Sequence, residues 1–165
     1  MHLALSEAAT DAGPMGPALI IDLATGALDL AGVARLAPWS GKRAAAKALA
    51  PYIRHRHDMG TGYSWLFTAG FSFGGRPCWL DLCFLRGLIG SRLESAHIKV
   101  DFRADPAPGV WSSREESDAE VAFMRAELCR QLGRAFLTDE EFAWGGAWCN
   151  YDPRSDSAGS GVRYR

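Results

Sequence analysis

Phe142-Ala-Trp-Gly-Gly-Ala-Trp-Cys-Asn-Tyr-Asp-Pro-Arg-Ser-Asp-Ser-Ala-Gly-Ser-Gly-Val-Arg-Tyr-Arg165 reads as two strands joined by a polar turn. Trp144, Trp148 and Tyr151 load one arm with apolar surface, and Tyr164 sits on the other. Asp152-Pro153 opens the turn, because proline presets its φ and aspartate can hydrogen-bond nearby backbone. The stretch finishes an antiparallel sheet and carries no recognisable chemistry of its own.

Working back from it, strand signals recur. Tyr63-Ser-Trp-Leu-Phe-Thr-Ala69 alternates, with Tyr63, Trp65 and Phe67 on one face. Gly74-Gly-Arg-Pro77 then turns the chain into Cys78-Trp-Leu-Asp-Leu-Cys-Phe-Leu85. A further strand is expected at His97–Phe102, and two short ones, Ala18–Leu23 and Ala27–Leu30, flank Thr25-Gly26. A short helix is expected near 41–50, capped by Ser40 and stopped by Pro51. The long helix is expected near 113–132. Ser112 and Ser113 each have Glu three residues later, a capping-box spacing, and Val121, Met124, Leu128 and Leu132 form an apolar stripe that Gly133 ends. The expected class is α+β: an antiparallel sheet of about five to seven strands with a helix on one face. Residues 1–17 read as a mobile leader and 18–165 as a single domain.

The chain has 165 residues, 48% of them hydrophobic, and a net charge of −1. A chain of that size buries enough surface to fold without staples. Its near-neutral charge gives no field for nucleic acid or an anionic membrane, and no apolar run reaches the ~20 residues a span needs. No signal peptide is evident, so a cytoplasmic protein is expected. The four cysteines include no CxxC pair and read as reduced thiols; Cys78 and Cys83 face opposite sides of one strand.

Candidate chemistry is sparse. Gly70-Phe-Ser72-Phe-Gly74 matches a nucleophile elbow, with Asp81 and His97 following in hydrolase order, but a turn and strand follow it where a helix is needed. His55 and His57 could hold zinc from one strand face, yet they lack a third ligand and have arginines beside them; a polar connection is favoured. Asp152–Asp156 has the opening spacing of a calcium loop, but Arg154 and Arg163 stand at ligand positions. Glu140-Glu141 follow Asp139 in what reads as a solvated turn, and the acids of 115–120 read as a solvated face. The six tryptophans read as core rather than base-stacking platforms. No catalytic residue, metal ligand or cofactor is assigned.

Several marks occur together: a Leu19-Ile-Ile-Asp-Leu-Ala-Thr-Gly26 hairpin, a Phe71-Ser-Phe-Gly-Gly75 turn, Trp111-Ser-Ser before a Glu-rich helix, Trp144-Gly, Tyr151-Asp-Pro-Arg-Ser and Val162-Arg-Tyr. In that order they resemble small bacterial immunity-type proteins of polymorphic and type VI secreted toxin systems. The resemblance implies a cytosolic inhibitor that binds one cognate toxin and blocks its active site. Near-neutral charge disfavours a highly basic nuclease as that toxin. Contacts are expected from exposed loops: Arg54, His55, Arg56, His57 and Asp58 first, then Asp152, Arg154 and Asp156. The competing classes are a small hydrolase or metal-dependent enzyme, and a ligand-binding module.

Overall fold

The computed structural model describes residues 16–103 and 109–165. Three short strands, β1 (Leu19–Asp22), β2 (Ala27–Leu30) and β3 (Ala34–Leu36), form one antiparallel sheet. Helix α1 (Lys42–Ala48) and a 3-10 turn at Ala50–Tyr52 lead into β4 (Ile53–Asp58). Then come β5 (Tyr63–Phe73), β6 (Arg76–Gly87), β7 (Gly90–Val100), α2 (Arg114–Leu132), β8 (Asp139–Phe142), β9 (Gly145–Asp152) and β10 (Ser157–Tyr164). The seven later strands make a second sheet ordered β4-β5-β6-β7-β10-β9-β8, antiparallel throughout. The expected α+β architecture is the observed one.

One face of the large sheet is the core. Leu66, Leu80, Leu82, Phe84, Leu93, Ile98, Ala147 and Val162 point into it and are buried. Leu19, Ile21, Leu28 and Leu30 of the small sheet, Leu49 after α1, and Met124 and Leu128 of α2 close over them. Each large side chain so buried contributes about 1.5–3 kcal/mol. Polar ties fix the small sheet in place: Trp144 donates to the Leu23 carbonyl at 2.8 Å and Tyr164 to the Gly26 carbonyl at 2.8 Å.

Helix α2 starts and stops where local chemistry requires. The Ser113 hydroxyl accepts from the Glu116 amide at 3.1 Å and the Glu116 carboxylate accepts from the Ser113 amide at 2.7 Å, satisfying two free donors. Gly133 ends the helix at φ 69°, a left-handed turn that costs glycine nothing. Met124 and Leu128 are fully buried, while Val121 and Leu132 only partly cover the core. The stripe also buries Glu120, which the sequence placed on a solvated face; its carboxylate accepts from the Val100 amide at 3.2 Å.

Other expectations need correction. Ser40 does not cap α1: its hydroxyl donates to the Ala37 carbonyl, and Gly41 holds the cap position. Residues 139–142 are an edge strand and not a turn, with acids turned toward neighbouring arginines. Arg54–Asp58 is likewise an edge strand and not a loop, because Ile53–Asp58 pairs with β5. Residues 1–15 of the expected leader lie outside the described residues. Its last two residues run along β5, where the Ser72 amide donates to Pro17 and the Ser72 hydroxyl to Gly16.

Candidate functional site: the open face of the large sheet

The outward side chains of the large sheet carry no layer of described residues over them, and they set large aromatic rings among polar and charged groups. Antiparallel pairing sets them in rows. One row runs His55, Phe67, Asp81, His97, Gly161, Trp148 and Asp139, crossing all seven strands in register. The next contains His57, Trp65, Cys83, Ser95, Arg163, Gly146 and Glu141.

Aromatic contacts knit the rows together. His55 stacks on Phe67 with centroids 5.8 Å apart, and Phe67 stacks on Trp65 at 5.8 Å. His97 then sits between two indoles: Trp65 meets it edge-on at 5.3 Å and Trp148 at 5.1 Å. The Trp148 indole reaches His97 by crossing β10 over Gly161, where no side chain stands in its path. The tryptophans therefore divide differently from the all-core expectation. Trp65, Trp79 and Trp148 are half-buried on the open face, Trp111 is 89% exposed, and Trp39 and Trp144 flank the core.

Asp81 stands opposite His97 at the middle of the face. Burial pushes its carboxyl up to about 6, with Lys99 pulling the other way. The same crowding lowers the pKa of His97, while Glu94 opposes that shift. Burial thus favours the neutral form of each group, the protonated carboxyl of Asp81 and the uncharged ring of His97. A groove of about 300 Å³ opens beside them, lined by Asp81, His97, Lys99, Trp148, Asn150 and Asp152 among others. Its lining is mostly polar, with carboxylates, Lys99, Asn150 and serines set around the Trp148 ring, which suits a polar side chain or a small polar ligand.

The structure does not gather the two patches expected from sequence. Arg54, His55, Arg56, His57 and Asp58 lie on β4 at one edge, and Asp152, Arg154 and Asp156 in the β9–β10 turn, several strands away. The row from His55 to Trp148 bridges them. His55 and His57 do share a face, their rings 6.4 Å apart. The Asp152 carboxylate is engaged in its own turn, accepting from the Arg154 amide and the Ser155 hydroxyl. Ser72 has committed its proton to Gly16, on a long antiparallel strand far from any elbow. Among the described residues, no group of three or more His, Cys, Asp or Glu converges as a metal site.

The arrangement of strands and helices has a counterpart among solved structures. A chain of the structure described as "Rhs1-CT in complex with cognate immunity protein RhsI1" superposes with a TM-score of 0.51 at 13% identity, over 89% of this chain and 87% of that one. The likeness is one of fold. No protein-family model matches the chain, and no curated protein matches it. No helix among the described residues is long and apolar enough to cross a membrane.

Proposed function

We propose that this chain is a toxin-neutralising protein of the immunity type, acting in the cytoplasm by binding a cognate bacterial effector and occluding it. The observation that carries the reading is the fold correspondence, extending over 89% of the chain, with a chain from a toxin–immunity complex. It agrees with the resemblance in the sequence, which rests on separate marks.

The open face gives the reading a physical site. Aromatic side chains held by one another are preorganised, so little side-chain entropy is lost on docking. Tryptophan, tyrosine and arginine dominate interface hot spots, and this face offers Trp65, Trp148 and Trp79. A type VI or related secretion route would deliver the effector, and the binding residues are those of β4, the β9–β10 turn and the aromatic side chains between them.

Asp81 and His97 favour a second reading at one point, because a carboxyl and an imidazole set opposite each other beside a groove are the side chains that acid–base chemistry uses. Co-expression separates the two. The effector encoded beside this chain should arrest growth alone and fail to do so with the chain present, and Asp81→Asn should leave that protection intact. Unrelieved arrest with no complex at micromolar protein would refute the immunity reading.

A further inference from the structure

The two edges of the large sheet are opposite in charge and unlike in how that charge is held. At β8 every acid is answered from within: Asp139 and Glu141 by Arg163, Glu141 again by Arg165, and Glu140 by Arg134 at 2.8 Å. At β4 the charge is left open. The Arg54 guanidinium donates to the Pro51 carbonyl at 2.9 Å, and among the described residues neither Arg54 nor Arg56 makes an ion pair. Five of the six β4 residues are exposed, and among the described residues β4 pairs only with β5. Its outer edge thus presents a row of unpaired backbone donors and acceptors in a basic setting.

We propose that β4 accepts an extended acidic segment of the partner protein as an eighth strand of the sheet. From His55 onward the alternation of β4 fixes the pattern such a segment needs, the register having shifted between Ile53 and His55. Arg56 shares a face with Leu66, whereas His55 and His57 share the opposite face with Phe67 and Trp65. Cross-strand neighbours lie within about 5 Å, so the added strand carries an acid beside Arg56, with a further acid toward the long Arg54 side chain. Apolar or aromatic residues come between them, beside the histidine rings. Backbone pairing supplies affinity and the alternating side chains supply selection. Placed there, the segment continues the aromatic face outward from His55.

A charged edge also protects a sheet from adventitious pairing, and on that account alone β4 would refuse any strand. The two accounts part in one experiment. The identity of the partner rests on the immunity reading, but the probe is not the effector, so this proposal and that reading can fail separately. The full chain is followed by amide exchange with a capped peptide of about the length of β4 that alternates Glu and Val, and with its Lys–Val counterpart. The outward-facing amides of β4, those not bonded to β5, should exchange quickly in the free protein and slow at least tenfold with the acidic peptide alone. Arg54→Glu with Arg56→Glu should reverse the preference between peptides while leaving the melting temperature unchanged. Slow exchange of those outward-facing amides before any peptide is added would overturn the proposal, since the edge is then already occupied. Equal protection by both peptides, or none at millimolar peptide, would overturn it as well.

Discussion

The Trp148 indole lies over Gly161 in the space that any other residue would fill: a Cβ there would fall 2.6 Å from Cη2 of Trp148 and 2.1 Å from the Ala96 carbonyl oxygen. The bare glycine is what lets one side chain span from β9 to His97 on β7. It joins the two halves of the open face.

Gly161→Ala should therefore cost about 1–3 kcal/mol, because either the indole or the β7–β10 pairing must give way. Urea melts measure the loss, and tryptophan emission reports whether Trp148 has moved. An unchanged midpoint and spectrum would show that the sheet has slack at this crossing.

Stability should depend on pH through Asp81. Its folded carboxyl titrates at about 6 against 3.8 as the ordinary value. The folded state therefore holds its proton more tightly. This contribution is fully present below about pH 4 and is lost as pH rises through 6. Asp81→Asn, which keeps the shape and removes the ionisation, should gain stability over the native chain between pH 4 and 7. His97 opposes this slope, since its lowered pKa stabilises the fold above the ordinary imidazole value and that help is lost as pH falls. A constant difference between the native and Asp81→Asn chains from pH 4 to 7 would contradict the assignment.

The thiols should separate by burial. Burial pushes Cys78 up to about 12 and raises Cys83 and Cys149 to about 11, leaving almost no thiolate at neutral pH. Cys129, only partly buried on α2, should be the first alkylated by iodoacetamide in the folded protein. The other three should react on unfolding. Rapid native labelling of Cys78 would mean that β6 opens locally.

Replacing Arg54 and Arg56 with alanine should leave the melting temperature nearly unchanged, because both are exposed and make no ion pair among the described residues. Effector binding should weaken by about 2 kcal/mol, read by calorimetry. A collapsed fold would show that these arginines are structural.

Much of this fold was legible in the sequence because its cues are local. The capping box at Ser113, the turn at Gly74-Gly75 and the alternation of Tyr63–Ala69 each settle a boundary without help from the rest of the chain. Edge strands were harder to see. Arg54–Asp58 and Asp139–Phe142 are polar on both sides and look like loops until a neighbouring strand pairs with them. The open face was harder still. Period-two alternation shows that Trp65 and Phe67 lie on one face, but it does not show which face is covered, and tryptophan's size argued for the core. Glu120 was misplaced for the converse reason, since nothing near it in sequence announces the Val100 amide that it accepts from.

The account rests on the open face as the docking surface, and calorimetric titration of the cognate effector tests that most directly. Trp65→Ala with Trp148→Ala removes both indoles that flank His97, and Arg130→Ala alters an exposed position on α2, which packs against the other face. With all variants folded by circular dichroism, the double tryptophan variant should lose at least about a hundredfold in affinity, as expected when two central hot spots are removed. Arg130→Ala should bind like the native chain. Unaltered affinity in the tryptophan variant, or a loss confined to Arg130→Ala, would contradict the account and move the interface to the helical side.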